Sequence, residues 1–153
     1  MKGFNLPQCG HIVNALPPES GTTAVTSDYF HLEHGHHFDA IVTIGSNGST
    51  GNGALTVLNS TTDSSGSAVG FNYQAEETAA GDTLGSWSTA SASGRTISTN
   101  NNIMYAISVD AAEQSGKWWA IRLATSTGVI EKAVTAVITG HRYQQERTPT
   151  AIA

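Results

Sequence analysis

This 153-residue chain is poor in charge, since Lys, Arg, Asp and Glu make up only 12% of it, about half the typical fraction. The net charge is −5, and the seven basic residues are scattered along the chain. Nucleic-acid-binding domains concentrate such residues in a patch or stripe. A disordered chain would carry fewer apolar residues than the 39% found here. We therefore expect a folded domain that makes no direct contact with nucleic acid.

Cysteine and long apolar runs are also scarce. The single cysteine, Cys9, excludes an internal disulfide and a cysteine-based zinc site. No run approaches the ~18 apolar residues of a membrane span. The first residues lack the charged-then-apolar pattern of a secretion signal. We therefore expect no membrane partner and no secretion signal.

Threonine, serine and glycine are abundant, with 19, 16 and 16 copies. Threonine favours strands, and serine and glycine favour turns. Apolar residues alternate with polar ones, the mark of half-buried strands, in several stretches. These are residues 38–44, 54–59, 68–74, 103–110, 117–124 and 130–143. The pattern predicts an all-β fold, a two-layer antiparallel β-sandwich of roughly eight strands.

The predicted core consists of the apolar residues that share one face of these strands. They are Phe38, Val42, Ile44, Val57, Phe71, Ile103, Tyr105, Ile107, Trp119, Ile121, Leu123, Val134 and Ile138.

Residues 102–143 have the strongest pattern and predict three successive antiparallel strands, a meander that forms one wall of the core. Two adjacent tryptophans in the middle strand, Trp118 and Trp119, must point to opposite faces. Trp118 and Arg122 share the outward face. Aromatic residues and arginine are enriched at protein interfaces. Trp118 therefore lies either against a partner or beneath a loop of this chain.

Residues 1–21 are predicted to form an extended N-terminal arm ahead of a single domain, 22–153. Pro7 and the pair Pro17 and Pro18 disfavour a helix or a central strand there. The arm nevertheless carries more apolar side chains than a disordered tail would, so it docks either on its own domain or on a neighbour. We expect removal of residues 1–20 to leave the sandwich folded. The candidate interface comprises arm and meander residues, namely Phe4, Leu6, Ile12, Val13, Leu16, Trp118 and Arg122.

The segment 31–37 holds four histidines and is the richest group of metal-ligand types in the chain. Two histidines spaced by one residue share a strand face, as in metal-binding cupins. A cupin would have a glutamate four residues after His36, where Ala40 stands, and the second cupin motif is missing. We interpret the segment as a structural loop, and we expect no metal and no cofactor.

No phosphate loop, dinucleotide fingerprint or nucleophile elbow occurs in the sequence. The remaining candidates for acid–base chemistry are carboxylates, which are normally solvated in loops. We therefore predict that the protein has no catalytic residues and is not an enzyme. The carboxylates concerned are Glu76, Glu77, Asp82 and Asp110.

Segments 3–7 and 10–14, 76–85, 104–111 and 134–143 together span nearly the whole chain. In these segments the sequence resembles the small head decoration, or cement, proteins of tailed bacteriophages. The resemblance implies a β-sandwich, often of jelly-roll type, on the outer surface of the capsid. Its partner would be the major capsid protein, whose subunit contacts it stabilises, and it would associate as a homotrimer. Such a protein is made in the bacterial host cytoplasm.

A receptor- or carbohydrate-binding β-sandwich of a phage tail or fibre is the alternative. Such modules are also rich in Ser, Thr and Gly, and they bind sugars on tryptophan platforms. Trp87, Trp118 and Trp119 are the candidates for that role. A third interpretation, a cupin-like metalloenzyme, depends only on the histidine-rich segment.

Overall fold

The computed structural model describes residues 10–32, 36–48, 53–78, 81–112, 114–124 and 128–139. Within these ranges the secondary structure is entirely β, and no helix there is long and apolar enough to cross a membrane. The strands are β1 (His11–Gly21), β2 (Val25–Thr26), β3 (Phe30–His31), β4 (His37–Asn47), β5 (Ala54–Ser60), β6 (Ser67–Val69), β7 (Phe71–Glu76), β8 (Ser88–Ala90), β9 (Arg95–Thr96), β10 (Ile103–Asp110), β11 (Trp118–Leu123) and β12 (Ile130–Thr139).

The strands form two antiparallel sheets that face each other across one core. The first sheet has the order β1-β12-β4-β10-β7-β8. The second has the order β2-β11-β5-β6, with β3 also paired to β11 and β9 also paired to β5. The prediction of an antiparallel β-sandwich is therefore confirmed.

The pairing is nested along the chain. β1 pairs with β12, β2 and β3 pair with β11, β4 pairs with β10, and β5 pairs with β6 and β9. A long hairpin rolled up on itself gives this pattern, which is the topology of a jelly roll. The short strands β2 and β3 together take the place of one jelly-roll strand. β7 and β8 extend the first sheet beyond β10.

The core lies between the sheets, and the predicted core residues are correct throughout. All thirteen belong to the main buried cluster. Its centre is aromatic: the rings of Phe30 and Phe38 meet edge-on at 5.1 Å, and those of Phe38 and Trp119 lie 5.2 Å apart. Aromatic pairs in these arrangements add to the stabilisation that burial provides.

The predicted meander is wrong. β10 and β12 lie in the first sheet, separated by β4, whereas β11 lies in the second sheet. Each strand still buries the face that the alternation indicated. Alternation shows which face of a strand is buried, but it does not show which strand lies beside it.

The N-terminal arm is also corrected for residues 11–21, which form β1 and pair with β12 in the protein's own sheet. Val13 and Leu16 are 2% and 6% exposed, so they belong to the protein's own core. The domain therefore includes residues that were assigned to the arm. Phe4 and Leu6 lie outside the described residues.

Proline is tolerated in β1 because this strand is the edge of the first sheet. Pro17 and Pro18 fall between the pairs Leu16–Val134 and Glu19–Lys132, where the register shifts by one residue. Such a bulge leaves a residue without a ladder partner. The prolines therefore exclude a central strand, as predicted, but not an edge strand.

Leu16→Ala tests whether β1 is part of the fold. Because Leu16 is buried between the sheets, we expect the free energy of unfolding to fall by about 2–5 kcal/mol. Ile12→Ala is the control, since the Ile12 side chain is 46% exposed, and its cost should stay under about 1 kcal/mol. Urea denaturation measures both values. Equal, small losses in the two variants would show that β1 is not docked as described.

Candidate functional site

The exposed members of the predicted interface lie on opposite sides of the sandwich. Ile12 lies on the outer face of the first sheet, opposite Val137. Trp118 and Arg122 lie on the outer face of the second sheet, where β11 pairs with β5. These three side chains therefore do not form a single surface.

Trp118 is partly covered by its own chain. It packs against a small cluster of Tyr29, Leu58 and Ala120, all buried on the outer side of the second sheet. The ring of His31 lies 4.7 Å from the Trp118 ring. Trp118 was expected to lie either against a partner or beneath a loop of this chain. These contacts show that residues of this chain cover much of its side chain. Arg122 is exposed and is the freer of the two predicted contacts on this face.

The outer face of the first sheet is broad and has an apolar residue exposed near its middle. Five strand spacings of ~4.8 Å make it about 24 Å wide. Near its middle Ile41 is 41% exposed, and Ile12 is exposed towards the β1 edge. The row of paired residues that crosses the sheet through Ile41 holds no charged side chain, and it comprises Asn14, Thr135, Ile41, Ala106 and Gln74. The rows on either side each hold one acid, Asp39 in one and Glu76 in the other.

Sequence reasoning did not identify this face. The alternation in 38–44 correctly assigns Phe38, Ala40, Val42 and Ile44 to the core. Ile41 is an apolar residue on the opposite, solvent-facing side of the same strand. That break in the alternation is the one sign of the surface that the sequence carries.

A groove of about 430 Å³ lies at the end of this face where β12 begins. Its walls come from β1, β4 and β12. The lining residues are Pro18, Glu19, Ser20, Thr43, Gly45, Glu131, Lys132 and Ala133.

Two carboxylates at the groove, those of Glu131 and Glu19, are contacted by neighbouring polar groups. Glu131 Oε2 accepts a hydrogen bond from the Ser46 backbone N–H at 3.1 Å. A Cβ on Gly45 would stand 2.9 Å from this oxygen, so glycine leaves the room that Glu131 occupies. On the β1 side, Glu19 Oε1 lies 3.4 Å from the Lys132 ammonium, whose side chain is only 1% exposed. Lys132 Nζ also donates to the Thr23 carbonyl oxygen at 3.2 Å.

The histidine-rich segment is described only in part, since residues 33–35 lie outside the described ranges. Among the residues that are placed, no three metal-ligand side chains lie close enough to hold an ion. His37 Nε2 lies 3.1 Å from both Asp39 Oδ1 and Ser108 Oγ. A Ser-His-Asp triad needs its acid and its serine on different ring nitrogens. The arrangement therefore does not activate Ser108 as a nucleophile.

Of the acids singled out in the sequence, Glu77 and Asp110 do not come together. Glu77 follows the end of β7 beside the start of β10, whereas Asp110 ends β10. These two carboxylates are thus separated by most of the length of a strand. Glu77 instead forms a bidentate ion pair with Arg95 Nη2, at 3.0 and 2.8 Å, and accepts a hydrogen bond from Tyr105 OH at 2.6 Å.

Tyr105 is fully buried, and its phenol oxygen also accepts a hydrogen bond from the Ser98 backbone N–H at 2.9 Å. Burial, and after it the hydrogen bond to the Glu77 carboxylate, raise the pKa of Tyr105 above its usual value. The folded protein therefore favours the neutral phenol. The Tyr105 hydroxyl links β10 of the first sheet to the 97–102 loop, so its role is structural.

Tyr105→Phe tests that role. It leaves Glu77 and the Ser98 N–H each one partner short, which costs about 1–3 kcal/mol of unfolding free energy near neutral pH. In the parent, the raised pKa of Tyr105 gives stability that is complete below the unfolded pKa of about 10 and is lost as pH rises above it. The variant should therefore lose less stability than the parent between about pH 9 and pH 11. Urea denaturation across this range measures the difference, and equal slopes in the two proteins would contradict the assignment.

Comparisons with known proteins give no family. No family model matches the chain, and no curated protein matches its sequence. Among solved structures, the chain is similar to SPBc2 prophage-derived protein YomS, with a TM-score of 0.45 and 14% sequence identity over 86% of this chain and 93% of that one. A likeness at this level carries no argument about function.

Proposed function

We propose that the protein is a structural component of a bacteriophage virion that binds the outer surface of the capsid and stabilises contacts between major capsid protein subunits. Two things support the proposal. The sequence segments quoted above resemble phage head decoration proteins. The outer face of the first sheet offers an apolar contact to a partner, since Ile41 is exposed there in a row of uncharged residues.

The exposed Ile41 is the observation that carries the proposal. Charged residues are depleted at the core of protein interfaces, and the row of paired residues through Ile41 holds none, with the acids Asp39 and Glu76 in the rows beside it. Fully burying an isoleucine side chain contributes about 1.5–3 kcal/mol. Because only 41% of Ile41 is exposed, covering it with a partner contributes roughly 1 kcal/mol. That is too little for tight binding by one contact, but a capsid presents the same site many times. A homotrimer would engage three such sites at once and gain affinity through avidity.

Ile41→Asp tests the surface. A charge at the centre of the contact should weaken attachment by about tenfold or more, because an unpaired carboxylate would be buried there. The measurement is co-sedimentation with capsids assembled from the major capsid protein of the same genome. Val129→Asp is the matched control, since Val129 is 49% exposed on the loop before β12, and it should bind as the parent does. Equal binding by parent and Ile41→Asp would exclude the first sheet as the contact.

Arg122→Glu tests the opposite face in the same assay. Trp118 and Arg122 remain the predicted contacts on the second sheet. If the second sheet faces the shell, the reversed charge at Arg122 should weaken attachment while Ile41→Asp does not. If the first sheet faces the shell, the pattern should be the reverse. Both variants sit on exposed positions, so thermal melting of each should match that of the parent.

Carbohydrate binding is the second candidate function, and Trp87 favours it. Its side chain is 57% exposed in the loop before β8. Trp119 is fully buried and Trp118 is partly covered, so neither offers an open ring. Next to Trp87, Gln74 Nε2 donates to the Gly85 carbonyl oxygen at 2.8 Å, and Thr89 bonds to Asn72. An exposed indole with amide side chains nearby is suited to stacking on a sugar ring.

Trp87→Ala separates the two candidate functions. If the protein binds sugar, retention on immobilised host cell-wall polysaccharide should fall to background in the variant, because the ring supplies the stacking surface. The capsid function does not require Trp87, so co-sedimentation should be unchanged. No retention of the parent protein on the polysaccharide would remove the carbohydrate interpretation.

A further inference from the structure

We propose that the groove at the end of the first sheet receives an arginine or lysine side chain from the protein partner. The inference deepens the proposed function and rests on it for the identity of the partner, which is the major capsid protein. The groove opens on the same outer face as Ile41, because Thr43, which lines it, is two residues further along β4 on that face.

The groove is large enough to receive a long side chain. Its volume is about 430 Å³. Pro18 and Ala133 contribute apolar walls. Arginine and lysine bury their methylene stems along apolar surface and keep the charged head at polar groups. The methylene stem of a basic residue would therefore pack against the apolar part of the groove lining.

The charge of the groove selects a cation. Glu19 and Glu131 contribute two negative charges, and Lys132 contributes one positive charge. Lys132 is already engaged, since its buried ammonium contacts Glu19 and the Thr23 carbonyl oxygen. Glu131 therefore supplies the uncompensated charge. Among the described residues, its Oε1 has no hydrogen-bond partner and is available to a donor from outside.

The fixed position of Glu131 favours arginine over lysine. Its carboxylate is oriented by the Ser46 N–H and by the space above Gly45. A carboxylate that is held in place loses little freedom on binding, which is the advantage of preorganisation. The planar guanidinium can form two parallel hydrogen bonds to a carboxylate, whereas an ammonium binds as a point charge.

The direct test is an NMR titration of the protein with arginine ethyl ester, used as a minimal basic probe. We expect saturable shifts of the amide signals of Ser20, Ser46 and Ala133, at probe concentrations in the millimolar range that is typical of a single small contact. Glu131→Gln should raise the dissociation constant about tenfold, because it removes a charge-assisted hydrogen bond. The amide oxygen of Gln can still accept from Ser46, so the fold should be retained.

Asp63→Asn is the matched control. It makes the same change in net charge at an exposed position in the loop after β5, and it should leave the titration unchanged. Shifts that spread over acidic residues throughout the protein, or that persist in Glu131→Gln, would overturn the proposal. Absence of any saturable shift would do the same.

Capsid co-sedimentation of the same two variants identifies the partner. We expect Glu131→Gln to bind about tenfold more weakly than the parent, with less dependence on salt, whereas Asp63→Asn binds normally. Normal binding by Glu131→Gln would overturn the groove as a capsid contact while leaving the capsid function intact. Localised arginine binding by a protein that does not bind capsids would support the groove and overturn the proposed function.

Discussion

The pairing of β12 with β1 on one side and β4 on the other is the constraint on which the rest of the structure depends. It brings together residues more than a hundred positions apart, such as Val13 and Ala136. Forming this pairing costs the conformational entropy of closing a long loop, and the contacts between the strands must together offset that cost. The apolar inward face of β12 supplies much of that compensation, since Val134, Ala136 and Ile138 are all buried. With β12 in place, the nested pairs that make the jelly roll follow.

This arrangement also determines which surfaces are available to a partner. The exposed edge of β1 carries Pro17 and Pro18 and two register shifts, features that discourage edge-to-edge pairing. The other edge of the first sheet is the three-residue strand β8. We therefore propose that a partner contacts the outer face of the sheet, where Ile41 lies exposed, and the groove at its end. The two proposals concern neighbouring parts of one surface.

Much of the fold was predictable because period-two alternation reports burial directly. β10 was predicted with its observed bounds, and the inward faces of β4 and β11 were assigned correctly. Strand partners were not predictable, since alternation carries no information on which strand lies next to which. The two-proline segment in β1 was misassigned because proline excludes a central strand but not an edge strand.

Most of the candidate site could not be predicted from the sequence. Ile41 was visible as an apolar residue on a solvent-facing strand position. The groove was not, because it joins Pro18, Gly45 and Glu131 from three strands that only the fold brings together. Lys132 shares the inward face of β12 with Ile130 and Val134, as period-two alternation indicates. The sequence does not show that its ammonium is held by Glu19 and the Thr23 carbonyl oxygen.

The central claim is that the outer face of the first sheet attaches the protein to a capsid. A cryo-electron microscopy reconstruction of capsids incubated with the purified protein tests this most directly. The account predicts additional density at symmetry-repeated positions on the outer surface, with the β4 and β12 face of the jelly roll directed at the shell. Capsids without added density, or with the second sheet directed at the shell, would contradict it.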